Sequence, residues 1–216
     1  MVERGNRGLR QAIDMFVLSA AVKAYRESTW GFNFAQHRML VLGSVRVNEL
    51  TALHTQISEL WMAGDFDVPA GQERLQEIFE SDLLPASRYE GAAALPDSFA
   101  QLMPSLDKVL HRLGRHPICC VTDRGPRIPE AITLSSPIRA RNLNSAGFTV
   151  MYLSAPTHPA TLTAVTAGFV FQAGHEDLMR IYVPDVDACN ATVFLSKLDA
   201  YQQADEELRG KLVPRF

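Results

Sequence analysis

Hydrophobic positions along this chain change their spacing near its midpoint. Leu9, Ile13, Phe16, Ala20 and Ala24 recur at helical intervals, which predicts an amphipathic helix over residues 8–26 with those side chains on its buried face. Leu50, Leu53, Ile57, Leu60 and Trp61 repeat the pattern behind Asn48, a residue type that caps helix starts. Leu75, Ile78 and Phe79 mark a shorter helix. Phe99, Leu102, Leu106, Val109 and Leu113 mark another, capped by Asp97 or Ser98, kinked at Pro104 and closed by Gly114. Lys108, His111 and Arg112 stand in its last turns, where cations complement the helix dipole.

Beyond residue 115 the apolar runs are shorter and rich in β-branched and aromatic residues. Residues 118–121, 148–153, 165–171 and 179–183 read as strands, with turn-forming residues at 125–126, 142–147 and 184–187. Residues 160–167 fit a helix between two strands equally well, and 199–208 read as a polar helix or helix-to-turn segment. Helices first and strands afterwards predict an α+β fold. A helical N-terminal part, residues 1–114, packs on a mainly antiparallel split sheet from residues 115–216, and the two form one compact unit.

Composition narrows the class of protein. A chain of 216 residues with 47% hydrophobic and 21% charged residues has the ordinary globular balance. It is long enough to bury roughly 70% of its unfolded surface without staples. The three cysteines include an adjacent pair, Cys119 and Cys120, with Cys189 apart. That pattern suits a reducing compartment or free buried thiols, not a disulfide framework. No charged segment followed by an apolar one opens the chain, so no secretory signal is expected. The longest apolar stretch, 15–24, is short and interrupted by Ser19 and Lys23, which marks a core helix and not a membrane span. A soluble, cytoplasmic location follows as an expectation.

Charge is segregated. Net formal charge is +3 over residues 1–50, −7 over 51–110, +4 over 111–142 and −3 over 143–216. The basic stretch holds Arg112, Arg115, Arg124, Arg127, Arg139 and Arg141, with His111 and His116. Arginine suits bidentate contact with phosphate or carboxylate. Because the whole chain is acidic, a small anionic ligand fits better than nucleic acid, and a solvated basic face is the plainer alternative.

Several chemistries have no motif here. A phosphate-binding Gly-rich loop, a nucleophile elbow, a paired CxxC and an HExxH are all missing from the sequence, so no metal site is expected. Cys120 with His111 or His116 could form a nucleophile and base, but an apolar run around Cys119 and Cys120 favours small core residues.

Four segments in order carry more information: ICCVTDRGPRIPEAI from Ile118, GFTVMYLSAPTHPATL from Gly147, AGHEDLMRIYVPD from Ala173 and ADEELRGKLVPRF from Ala204. This order resembles the catalytic core of the cholera-toxin and pertussis-toxin group of ADP-ribosyltransferases, whose relatives include bacterial effectors delivered into host cells. The resemblance matches Arg124 to the family's turn arginine and Ser154 to its strand serine. Ile181, Tyr182 and Val183 match its third strand, and Asp205 and Glu207 its acidic pair. It implies NAD as substrate and transfer of ADP-ribose to an arginine of a protein acceptor. Glu207 would stabilise the oxocarbenium-like ribose. Asp205 would orient the acceptor guanidinium and Ser154 would orient Glu207. Cys120 stands at the family's phosphate-gripping arginine, so Arg124 or Arg127 would take that contact, or the transferase is weakened. The alternative is a non-enzymatic interaction or assembly subunit.

Overall fold

One helix is enclosed by the rest of the protein. In the computed structural model, which describes residues 2–34, 36–89, 94–120, 130–140, 148–154, 176–182 and 189–190, helix α1 spans Val2–Trp30. Phe16, Ile13 and Ala20 are buried, as their spacing predicts, but so is every residue from 12 to 24. The amphipathic reading of this helix is therefore corrected to an all-round one. An α-helix without a polar face belongs inside a larger core.

A six-stranded sheet lies against α1, built from β1 (His37–Leu42), β2 (Ile118–Cys120), β3 (Glu130–Ser135), β4 (Phe148–Leu153), β5 (Arg180–Tyr182) and β6 (Cys189–Asn190). Their order is β2-β3-β1-β4-β5-β6. Pairings β2–β3, β3–β1, β1–β4 and β4–β5 are parallel, and among the described strands only the short β6 runs antiparallel to its neighbour. This overturns the expected mainly antiparallel split sheet. The physical reason is in β1 and β3, which alternation does not reveal. Strands of a parallel sheet are covered on both faces and read as near-continuous apolar runs, as Met39–Leu40–Val41–Leu42 does. The segment read as purely helical thus supplies the strand at the middle of the sheet.

Parallel neighbours need crossover connections, and the helices provide them. Between β1 and β2 come α2 (Val47–Met62), α3 (Pro69–Ile78), a π-helical turn (Phe79–Leu83), α4 (Leu84–Tyr89) and α5 (Phe99–Leu113). Helix α2 starts after Arg46 instead of after Asn48. Helix α5 follows Ser98, contains Pro104 and ends at Gly114, whose φ of 63° and N–H bond to Leu110 O close the last turn. Met39, Val41, Ile132, Leu134, Val150 and Tyr152 meet α1, α2, α3 and α5 in the main core. Leu40, Leu42, Met151, Leu153 and Ile181 form a second cluster with Ala140 of the short helix α6 (Pro137–Ala140) and Met179.

Burying α1 on all sides leaves its polar residues without water, so each finds a partner inside. Asp14 takes a two-pronged contact from Arg74 of α3, at 2.9 and 3.2 Å. The Ser19 hydroxyl donates to Met15 O, 2.7 Å away on its own helix. Arg26 forks onto both oxygens of Asp177, at 2.9 and 2.7 Å, and its Nε donates to Ala94 O. Ser87 of α4 donates to the same Asp177 carboxylate. Arg180 reaches Asp82 of the π turn at 2.9 Å and Asp177 O at 2.8 Å. The Asp177 carboxylate therefore ties α1 to α4, and its backbone oxygen holds Arg180 of β5.

Three outcomes follow for stability. Phe16→Ala should cost about 3–5 kcal/mol in urea denaturation, because a fully buried ring leaves a cavity. Asp177→Ala should cost a similar ~3–5 kcal/mol, since Arg26 loses the partner of a buried charge. Burial pushes the Asp14 carboxyl above its ordinary value, and the contacts from Arg74 only partly offset this. A carboxyl with a raised folded pKa contributes less stability as pH rises from about 4 through that pKa, because the unfolded chain loses its proton first. Asp14→Asn should remove that decline, seen as a flatter plot of urea midpoint against pH than the parent protein gives.

Candidate functional site

Strand order sets the place where this fold can hold a ligand. The chain leaves β1 toward β2, beyond β3, whereas β4 is followed by β5 on the opposite side. Connections therefore diverge at the carboxyl ends of β1 and β4, the crevice where open parallel sheets bind ligands. Three adjacent strands end there in small residues: Ser135 and Ser136 at the end of β3, Gly43 and Ser44 after β1, and Ser154 after β4. Gly43 N–H donates to Ser135 O at 2.9 Å, and Ser154 N–H donates to Leu42 O at 2.9 Å, so the three ends stay in register. A Cβ on Gly43 would come 2.6 Å from Leu50 Cδ2, so glycine lets α2 pack close over the strand end. On the exposed side, the Arg46 guanidinium donates to Glu49 at 3.0 Å. Hydrogen bonds from Ser44 and Arg46 hold the Glu49 carboxyl below its ordinary value.

Of the residues assigned from sequence, Ser154 lies at this edge. Its hydroxyl donates to Leu42 O at 2.9 Å, so it clasps the end of β1. Asp205, Glu207, Arg124 and Arg127 lie outside the described residues, as do the segments 165–171 and 199–208. Cys120 ends β2, at the flank of the sheet, three positions along the strand order from β4 and Ser154. Cys119 is a free, half-buried thiol 3.8 Å from Thr133 Oγ1. The third matched strand exists as β5, yet it pairs parallel with β4. Among the described residues no group of three or more His, Cys, Asp or Glu could hold a metal ion. None of their helices is long and apolar enough to cross a membrane.

Sequence reasoning missed Gly43, Ser44, Arg46, Ser135 and Ser136. The available signal was an apolar run ending in Gly-Ser and followed at once by a helix, the opening of a strand–loop–helix unit.

At the other end of β1 and β4 lies a polar cluster built on a bulge. Arg38 pairs with Phe148 and Met39 with Val150, which leaves Thr149 as an extra residue. The bulge re-aims Thr149 toward α1. Lys23 Nζ donates to Thr149 Oγ1 at 2.9 Å and approaches Gln36 O at 3.4 Å. Since Phe16 O can only accept, His37 Nε2, 2.9 Å away, carries the proton there. Nδ1 then accepts from the Thr149 hydroxyl at 3.4 Å. The His37 ring also stacks on Phe16, with centroids 4.7 Å apart. All these polar groups are buried, so the cluster clamps α1 to the sheet.

The family model of the Z1 domain matches residues 8–132. This chain belongs to the Z1 domain family. No curated protein and no solved structure matches it. The Z1 segment runs from α1 into β3, so it contains Gly43, Ser44, Arg46 and the clamp residues Lys23 and His37, and stops before Ser135 and Ser154. Nothing in the Z1 match bears on ADP-ribose transfer.

Thr149→Val keeps the shape of the bulge residue and removes the hydroxyl that serves both Lys23 and His37. The expected cost is about 1–3 kcal/mol in denaturant unfolding. A shift of only a few tenths would show that the hydroxyl does not hold the clamp.

Proposed function

We propose that this Z1-domain chain binds a phosphate-bearing small molecule at the carboxyl edge of β3, β1 and β4. The observation that carries the reading is the divergence of connections between β1 and β4, with a small hydroxyl residue at each of three neighbouring strand ends. The Ser135 and Ser154 hydroxyls give their protons to Ser136 O and Leu42 O, so a phosphate takes its donors from the backbone N–H groups of the loop between β1 and α2 and from Ser44 on displacing Glu49. Arg46 supplies a guanidinium at the same edge. Its pair with Glu49 is exposed and screened by solvent, so a phosphate that offers bidentate contact can displace it.

NAD, carried by the resemblance to ADP-ribosyltransferases, belongs to this ligand class and is the first probe. Transfer of ADP-ribose to a protein arginine would require Asp205 and Glu207 to meet Ser154. The split antiparallel sheet that would unite them is not the sheet this chain builds, so the binding proposal stands without the transfer step.

A second reading, an interaction or assembly module, draws on a different observation. Val45, Val47 and Ile138 are 61%, 74% and 66% exposed on loops and helix starts that follow β1 and β3. Aliphatic side chains around a sheet edge suit a partner surface.

Isothermal titration with NAD, ATP and ADP separates the two. Saturable binding of at least one is expected, with Arg46→Ala weakening it about ten-fold, the loss of one charge-assisted contact. No binding by any of them at millimolar concentration, together with concentration-dependent self-association abolished by Val47→Asp, would replace the ligand reading by the second.

A further inference from the structure

A separate cleft lies where the carboxyl ends of α2 and α5 meet. Its volume is about 420 Å³, and its lining includes Trp61, Asp65, Phe66, Asp67, His111 and Arg115. The floor is aromatic: the Trp61 and Phe66 rings are 5.2 Å apart at 53°, and both side chains are buried. Trp61 Nε1 donates to Gly114 O at 3.2 Å, which ties the end of α2 to the end of α5.

The loop that forms one wall is fixed from below. Arg74 donates to Gly64 O at 2.6 Å, and Arg10 donates to Ala63 O at 3.0 Å. A Cβ on Gly71 would collide with the backbone oxygen of Asp65, so α3 can approach this loop only through glycine. A pocket held this way exists before any ligand enters, which reduces the ordering cost of binding.

Charge is divided between the walls. Asp65 and Asp67 come from the α2–α3 loop, and His111 and Arg115 from the end of α5. Neither carboxylate accepts a hydrogen bond or close ion pair from a described residue, although the Arg10 charge acts on Asp65, and Arg115 and His111 likewise make no hydrogen bond or close ion pair with a described residue. Opposite charges therefore line one cleft without closing on each other. An anion would meet the two aspartates and a simple cation would meet Arg115, whereas a dipolar ligand satisfies both walls.

We propose that this cleft binds a small zwitterion with an apolar body, of amino-acid or dipeptide size. Its ammonium faces Asp65 and Asp67, its carboxylate faces Arg115 and His111, and its body rests against Trp61, Phe66 and the exposed Met62. Nothing in this proposal depends on the sheet edge.

Trp61 reports the site directly. The chain has two tryptophans, and the other, Trp30, is exposed, so Trp30→Phe leaves Trp61 as the single indole. This protein is titrated at neutral pH with leucyl-leucine, with its N-acetyl form and with its C-terminal amide. Leucyl-leucine should change the emission saturably, and each capped form should bind roughly three- to five-fold more weakly, the scale of one exposed charge contact. Arg115→Gln should weaken leucyl-leucine by a similar factor and leave the amide unchanged. The proposal is overturned by no saturable response to leucyl-leucine, by equal affinity for all three, or by an Arg115→Gln variant that binds leucyl-leucine as well as the parent.

Discussion

Enclosure of α1 is the constraint on which the other elements depend. Thirteen consecutive residues, 12–24, are withdrawn from water, and among them stand Asp14, Ser19 and Lys23, with Arg26 one turn on. A buried charge without a partner costs several kcal/mol, so the helix can occupy the centre only if its neighbours supply matching groups at the right places. They do so from three directions: Arg74 from α3, Thr149 from the bulge of β4, and Asp177 from the turn before β5. The apolar faces of α1 would accept many packings. The buried ion pairs and hydrogen bonds admit few, because a helix rotated by one residue would strand each of these groups.

The same enclosure connects the two ends of the sheet. At their amino ends, β1 and β4 are clamped to α1 through His37, Thr149 and Lys23. The bulge that permits this sits at the start of the β1–β4 pairing, and regular register resumes from Met39 to Leu42. By the carboxyl end the two strands are aligned so that Ser154 N–H meets Leu42 O. Register at the carboxyl edge is thus set together with polar contacts at the far end of the strands, while Arg46 stands exposed at that edge.

How much of this could be read from the sequence differs by element. The extent of helix α5 was legible, because its apolar spacing, Ser98 start and Gly114 stop all operate within the helix itself, although the Ser98 hydroxyl makes no capping bond. Phe16 and Ile13 were legible as core for the same reason. The amphipathic reading of α1 failed because apolar spacing carries no sign of the partners that allow Asp14 and Lys23 to be buried, which lie 60 and 126 residues away. Strands β1 and β3 were not legible by alternation, since both faces are covered and the apolar run carries no period of two. The resemblance to ADP-ribosyltransferases rested on segments taken in order, and order alone does not determine whether neighbouring strands run parallel. Ser154 was found as a strand-end serine, but the significance of its position depends on β1 lying next to β4, a contact between residues 112 positions apart.

Membership of the Z1 family places a limit on where a shared activity can reside. The matched segment ends inside β3, at Ile132, before the chain has supplied Ser135, Ser154 or β5. Yet β1, which lies inside the segment, has neighbours on both sides, and one of them, β4, lies beyond the segment. The Z1 segment alone would leave Lys23 and His37 without Thr149. Its central strand would become an edge, with unpaired N–H and C=O groups along the side that β4 covers. The sheet edge therefore needs more than the Z1 segment to exist. The cleft formed by α2 and α5 does not: all of its named lining residues, from Trp61 to Arg115, fall within residues 8–132.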